Sequence, residues 1–527
     1  MFNRVSLLLV VLPALLVMTA ASEALAAARG ADTFRPIFNG KDLTGWAGDT
    51  RFWRVEDGVI IGETTKEQPA PHNTFLIWEQ GEVDDFELTL RFRMTTDYAN
   101  SGVQVRSQRH DNFVVSGYQA DLANDGWTGI VYEERGRGIL TKRGEKTILK
   151  ADGSRETNQF GNADELHKHH RLRDWNDYHI IARGNQITVK LNGHTMSEIV
   201  DESPNARRAG VLALQVHAGP PMRIEVKDIM LKRLKMPDKK KVVLVAGKPS
   251  HAYGDHEHYA GCTLFARLLN EHTDNIYATV YKNGWPADPT AFDNADSVVI
   301  YADGGRGHPV MPHLKEFDAV MKRGVGLACI HYAVEVMADE SGQYFLDWIG
   351  GYFEPHWSVN PFWVIRNMTL NTGHAMTRGV TPYEINDEWY YHMRFPDRLE
   401  GVDAIITALP PVETLNRPEG PHSNNPHVRK AVLENKEPQH VAWARQRPDG
   451  GRGFGFTGGH VHWNWGHPQH LRLVLNAIAW TAHAEIPEGG IKVPPLTFEE
   501  LEANMDGAPP ANFDREHWIN QIKAWNK

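Results

Sequence analysis

Between Phe34 and Leu234 the hydrophobic positions fall in short alternating runs separated by turn dipeptides, which predicts β-strands rather than helices. Phe86, Leu88, Leu90, Phe92 and Met94 share one parity, so a single strand presents all five to the same face. Asp57-Gly58, Gly184-Asn185 and Asn192-Gly193 are hairpin turns by composition. So many strands without a long helical period predict two packed antiparallel sheets. Two of the strands keep polar residues on one parity. Gln104, Arg106 and Gln108 alternate with Val103 and Val105, and Gln215 and His217 share a face away from Leu212, Leu214 and Val216. Such a face is either a binding surface or simply the wetted side of a sheet.

The charged run Lys235-Met236-Pro237-Asp238-Lys239-Lys240-Lys241 interrupts this pattern and reads as a solvated linker. The predicted organisation is a sandwich over 33–235, a linker over 236–241, a second domain over 242–484 and a packed extension over 485–527. In the second domain the apolar runs Val242 to Ala246, Ser297 to Tyr301 and Gly326 to Ile330 alternate with helical patterns at Gly261 to Asn270 and Pro312 to Lys322. Continuous apolar strands with helices between them predict a doubly wound parallel sheet, with its ligand site beyond the carboxyl ends of the strands. A late hairpin around Asp449-Gly450 and a helix from Pro468 to Ala482 complete it, and Phe513 to Trp525 forms an amphipathic stretch in the extension.

Composition narrows the function. The 527 residues carry 41% hydrophobic and 23% charged residues, as globular proteins do. A net charge of −10 without a basic stripe argues against nucleic acid as a partner. Arg4, the apolar run Leu7 to Val17 broken at Pro13, and Ala24-Leu25-Ala26 predict a cleavable export signal over 1–28 and a periplasmic or secreted protein. That run is shorter than the roughly 20 residues of a membrane span, and no other segment is apolar enough for an integral membrane protein. Two cysteines, Cys262 and Cys329, cannot build a disulfide framework, and Cys329 sits in an apolar strand as a buried thiol.

Histidine placement carries the chemistry. Eighteen of the 27 histidines lie between Val242 and His483. Several follow predicted strand ends, where converging imidazoles would bind a divalent metal ion or move protons. His256 with His258 and His460 with His462 are spaced i, i+2, which brings both rings to one side only in extended backbone. On that spacing His256, His258 and His462 are candidate metal ligands. The competing reading makes these rings hydrogen-bonded loop or core residues.

Gly324-Val325-Gly326-Leu327-Ala328-Cys329-Ile330-His331-Tyr332 has the shape of a strand entering a sharp turn, and it resembles the nucleophile turn of class I glutamine amidotransferase-like domains. His331 stands where those enzymes carry cysteine, so thiolate amide transfer is not expected. With Gly373-His374-Ala375-Met376-Thr377-Arg378-Gly379, Asp387-Glu388-Trp389-Tyr390-Tyr391-His392 and the closing Gly459-His460, the region resembles the ThuA-like, or trehalose-utilisation, family. That resemblance implies a sugar-related pocket at His331, Glu388 and His460, with His251 nearby.

The front domain resembles the 3-keto-disaccharide hydrolase family, which implies a concanavalin-like jelly-roll sandwich. The carrying residues are Phe38-Asn39-Gly40-Lys41-Asp42-Leu43-Thr44-Gly45-Trp46, Trp53-Arg54-Val55-Glu56-Asp57-Gly58, Asn100-Ser101-Gly102-Val103 and Leu214-Gln215-Val216-His217. Tyr118-Gln119-Ala120-Asp121 stands where Glu-Val-Gln-Ile is more common. The expected fold class is therefore multidomain, an all-β sandwich followed by a flavodoxin-like, amidotransferase-like α/β domain.

The family resemblance implies cleavage of 3-keto-glycosides. A carbonyl at C3 acidifies the C2 proton and places the C1 oxygen for expulsion, so a base and a carbonyl-polarising group suffice. His217 is the expected base and Arg106, or a bound cation, the expected electrophile, with Gln215, Gln119 and Asp121 around the sugar. The alternative is a non-catalytic carbohydrate-binding protein with a silent amidotransferase-like scaffold.

Overall fold

The computed structural model describes residues 33–124 and 126–527, so the export signal expected over 1–28 lies outside the described residues. The chain forms two compact units. One runs up to Asp238 and also takes in Pro286–Asn294; the other comprises Lys239–Trp285 and Ala295–Lys527.

The front unit is a sandwich of two antiparallel-dominated sheets. In the larger, Phe86–Met94 lies between Asn176–Arg183 and Arg223–Arg233. Its burial alternates strictly, and Phe86, Leu88, Leu90, Phe92 and Met94 all enter the core. The hairpins turn at the expected dipeptides, with Glu56 opposite Val59, Arg183 opposite Gln186, and Leu191 opposite His194. Asp57 and Gly58 have φ of 47° and 77°, and Asn192 and Gly193 have 48° and 84°, as the tight turns between right-twisted strands require. The smaller sheet has seven strands in the order Gly138–Thr141, Val131–Glu134, Val114–Ala123, Asn100–His110, Val211–Val216, Thr74–Trp78, Trp46–Ala47. Val103, Val105, Leu122, Leu214 and Val216 point into the core, so Gln104, Gln119, Asp121 and Gln215 line the opposite face.

The parity expected for Val103 to Gln108 fails at Arg106. The pairing with Val114–Ala123 slips between Val105 and Gln108, and Arg106 itself has a φ of 50°. This bulge re-aims the side chain into the interior. Its Nε donates to the carbonyl of Asp84 (2.7 Å), Nη1 to the carbonyl of Gly184 (2.7 Å) and Nη2 to Asp85 (2.7 Å). With 1% of the Arg106 side chain and none of Asp85 exposed, the guanidinium is a buried fastener between the sheets and not the electrophile expected from the sequence.

In the rear unit a single sheet runs in the order Ile276–Tyr281, Lys240–Ala246, Ser297–Tyr301, Gly326–Ile330, Arg452–Phe456, Gln439–Gln446, Val402–Ala408, Thr369–Leu370. The first five strands are parallel, the doubly wound part, and the last three are antiparallel additions. The helices His258–His272, Leu314–Met321 and Pro468–Thr481 form around the expected apolar patterns, and Arg515–Trp525 is a helix of the extension. Cys262 and Cys329 are both free and buried. Among the described residues no helix is long and apolar enough to cross a membrane.

Removing one member of a buried ion pair strands the other charge, at a cost of about 3–5 kcal/mol. Arg106→Met is therefore expected to lower the unfolding free energy of the front unit by that amount. Urea denaturation followed by tryptophan fluorescence measures it, and an unchanged midpoint contradicts the pairing.

Candidate functional site

On the polar face of the seven-stranded sheet lies a hollow of about 270 Å³, near the lower end of small-molecule clefts. Gln119, Asp121, Gln215 and His217, four of the five residues proposed from sequence for the front domain, line it together with Asn73, Trp127, Tyr132 and Glu134. Five consecutive strands of the sheet, from Gly138–Thr141 to Val211–Val216, contribute to its lining, so most of these side chains stand on rigid backbone. Gln104 donates to Gln119 (2.7 Å), and Gln119 donates in turn to Asp121 (2.7 Å) and faces Gln215 at 3.4 Å. Gln215 donates to Glu134 (3.3 Å), whose carboxylate also accepts from Asn73 (3.2 Å). This chain of amides and carboxylates fixes which atoms remain turned toward a ligand.

The Asn-Ser-Gly-Val motif has a steric reason here. A Cβ on Gly102 would stand 2.4 Å from the Gln119 side chain, so only glycine lets that amide lie across the sheet. Ser101 fastens the adjacent strand by donating to the Gln215 carbonyl (2.6 Å). His217 follows the strand Val211–Val216, and the next amide, Ala218 N–H, donates to Asn73 (3.0 Å). The His217 Nδ1 is buried and makes no hydrogen bond to a described residue. Burial first, and then the neighbouring Glu134 and Asp121 carboxylates, raise the Tyr132 pKa, keeping its hydroxyl protonated. Trp127 is 44% exposed at the rim, whereas Trp46 and Trp53 belong to the core. Glu134, Asn73 and Tyr132 were not singled out from sequence. Val131–Glu134 is a four-residue strand with no alternation long enough to reveal a polar face.

In the rear unit a second cluster gathers at the carboxyl edge of the parallel strands. His331 directly follows Gly326–Ile330, at a φ of 55°, in the sharp turn read from the sequence. His460 follows Arg452–Phe456, Asp303 follows Ser297–Tyr301, and Glu388 follows the short strand Ile385–Asp387. His256 reaches the same point from the loop after Lys240–Ala246. Its Nε2 lies 2.9 Å from His460 Nδ1 and 3.1 Å from His331 Nε2. Glu388 Oε2 is 3.0 Å from His460 Nδ1 and 3.5 Å from His331 Nε2.

The wholly buried Asp387 holds this arrangement. Its carboxylate accepts from the backbone N–H groups of Gly459 (2.8 Å), His460 (3.1 Å) and Val461 (3.2 Å), and from that of Glu388 (2.8 Å). One side chain thereby locks together the two segments that carry Glu388 and His460. Burial, opposed by the hydrogen bond to Asp303 but reinforced by the His331 and His460 rings, pushes the His256 pKa well down. For Glu388 burial opposes ionisation, yet the His331 and His460 rings beside it hold its carboxyl down at about 2. For His460 burial favours the neutral ring, but the Glu388 carboxylate outweighs it and raises the pKa.

The metal-ligand set expected from the i, i+2 pairs is corrected. His256, His331, Glu388 and His460 present donor atoms that all lie within 4.8 Å of one another, and His251, His256 and Asp303 form an adjoining set. His258 and His462 stay out. Both pairs straddle irregular backbone, so their rings diverge: His258 Nδ1 faces the Lys248 carbonyl (3.2 Å), and His462 Nε2 faces the Leu501 carbonyl (2.8 Å). Burial lowers both to a pKa of about 4. His251 stacks on the His256 ring at 3.7 Å between centroids.

Residues 33–232 match the family model of the 3-keto-alpha-glucoside-1,2-lyase-like domain, and residues 241–481 match that of Trehalose utilisation, ThuA. No curated protein matches the chain. Among solved structures, a candidate glycosyl hydrolase from Parabacteroides distasonis aligns at 18% identity and a TM-score of 0.27, over 38% of this chain and 100% of that one. A carbohydrate-binding module, CBM66, from Bacillus subtilis aligns at 10% identity and a TM-score of 0.26, over 36% of this chain and 95% of the module. A candidate ThuA-like protein from Bacteroides uniformis aligns at 15% identity and a TM-score of 0.34, over 47% of this chain and 93% of that one. The chain therefore carries a 3-keto-alpha-glucoside-1,2-lyase-like domain followed by a ThuA, or trehalose-utilisation, domain.

Proposed function

We propose that this is an exported enzyme, periplasmic or secreted, that cleaves the glycosidic bond of 3-keto-glycosides in the front domain, with small carbohydrates as its partners. The observation that carries the reading is the placement of the His217 ring on the wall of a hollow otherwise lined by amides, carboxylates and an exposed tryptophan. The matched family model supports the substrate class.

In this mechanism His217 takes the C2 proton, and the C2–H electron pair forms the C2–C3 double bond of an enolate. Tyr132 donates its phenolic hydrogen bond to the enolate oxygen, the role that Arg106 cannot fill. Collapse of the enolate restores the C3 carbonyl and expels the C1 oxygen, which receives the proton back from His217. The products are the free alcohol and an unsaturated 3-keto sugar. Addition of water across C1 and C2 of the latter completes net hydrolysis. No pair of glycosidase carboxylates is required. The alternative, a non-catalytic carbohydrate-binding protein, shares the hollow and differs only in turnover.

Purified protein incubated with 3-keto-trehalose or a 3-keto-glucoside, with and without chelator, is expected to release the aglycone alcohol or free sugar by NMR. Binding without release in either condition establishes the alternative. His217→Ala is expected to lower kcat by about 10²- to 10⁴-fold, the usual contribution of a general base. Wild-type turnover in that variant refutes the assignment. Trp127→Ala is expected to raise KM roughly 2- to 10-fold with little change in kcat, as loss of an aromatic stacking contact does. A change confined to kcat contradicts a binding role.

A further inference from the structure

The rear-domain cluster poses a problem of lone pairs. His331 Nδ1 lies 2.8 Å from the Thr457 carbonyl, which only accepts, so that nitrogen carries the ring proton and Nε2 presents a lone pair. His256 Nδ1 faces the Asp303 carboxylate at 3.3 Å, so its Nε2 presents a lone pair as well. These two Nε2 atoms are 3.1 Å apart, and Glu388 Oε2 and His460 Nδ1 crowd the same point. The Tyr390 hydroxyl, 3.0 Å from His331 Nε2, answers one of these acceptors, and the remaining acceptor atoms converge on a common space that suits a positive centre.

We propose that the rear domain binds one divalent first-row transition-metal ion through His256 Nε2, His331 Nε2, His460 Nδ1 and Glu388 Oε2. The spacing suits it. Ligands about 2.0–2.1 Å from a metal are about 2.9 Å apart at right angles and about 3.4 Å apart in a tetrahedron, and the four measured separations run from 2.9 to 3.5 Å. Three imidazoles and one carboxylate make a nitrogen-rich set that takes zinc and its first-row neighbours in preference to calcium or magnesium.

Three of the ligands have hydrogen-bonded outer partners of the kind that orient metal-binding side chains, and the fourth, His460, has a carboxylate at ion-pair distance. Asp303 backs His256, the Thr457 carbonyl backs His331, Asp255 lies 3.6 Å from His460 Nε2, and Asn360 donates to Glu388 Oε1 (3.0 Å). Asn360 is itself held by Arg417 (3.3 Å). His256 and His331 are sealed in the interior, while His460 and Glu388 keep 11% and 13% of their side chains exposed. Phe362, 52% exposed, stands edge-on to the His460 ring. The ion is thus reached from the His460 side, where an oxygen of water or of a small carbohydrate completes its coordination.

The test uses the full chain, stripped with chelator, dialysed and titrated with zinc chloride by calorimetry. One ion per chain is expected, and Glu388→Gln and His331→Ala are expected to weaken binding at least tenfold. Asp303→Asn, which alters only an outer partner, is expected to weaken it roughly 10- to 100-fold. Native protein loaded with cobalt(II) gives a readout independent of any variant, because nitrogen-rich coordination produces visible d–d bands that free cobalt lacks. Absence of a zinc isotherm, absence of those bands, or undiminished binding in both ligand variants overturns the site and leaves a hydrogen-bonded histidine network instead.

Discussion

A polar side chain taken out of water must find a partner where it ends up, and both units are organised around that constraint. Arg106 cannot be solvated between the sheets, so Asp85 and the carbonyls of Asp84 and Gly184 converge on its guanidinium. Asp387 is equally sequestered, and four backbone N–H groups answer it. Each pairing is a local necessity with a distant result. The first ties the two layers of the sandwich together, and the second sets the loops that present Glu388 and His460.

The two candidate sites solve the problem of precision differently. The front hollow stands on strands, and its shape is set by what the pleat leaves room for, including the bare backbone at Gly102. The rear cluster stands on loops leaving strand ends, which are less rigid by nature, and it compensates with an outer layer of hydrogen-bonded partners. His331 alone is placed by the strand itself, at a left-handed φ that the surrounding packing imposes.

Much of this was legible from the residues alone. Strict alternation from Phe86 to Met94 identified a core strand, and the dipeptides at Asp57, Gly184 and Asn192 marked real turns. The strand-then-turn at His331 placed one member of the rear cluster, and the polar parity of Gln215 with His217 placed two in the front hollow. Arg106 misled because a bulge inserts one residue without a composition signal, and every parity argument downstream of it inverts. The histidine pairs misled because i, i+2 spacing speaks only for extended backbone, and His256 lies in a loop at a φ of 51°. Glu388 with His460 and His256 with His331 meet across many tens of residues, a convergence that no local pattern encodes. Of the antiparallel additions to the rear sheet, the hairpin around Asp449-Gly450 was legible and pairs Gln446 with Arg452, whereas Val402–Ala408 and the two-residue strand Thr369–Leu370 were not, being irregular in burial or too short to show a period.

The short segment Pro286–Asn294 groups with the sandwich although it follows Lys239–Trp285, which belongs to the other unit. It supplies Asp288 and Thr290 to Arg233 and Asp293 to Arg35, charged contacts that the sandwich sheets leave to it. On the ribosome, therefore, these contacts are still missing when the last strand of the front unit emerges, although the sandwich core itself needs no residue from this segment. They form only after the first strands of its neighbour have been synthesised, so the completion of the two units is interleaved in time, and severing the chain after Asp238, just before the strand that begins at Lys240, would part the sandwich from these contacts.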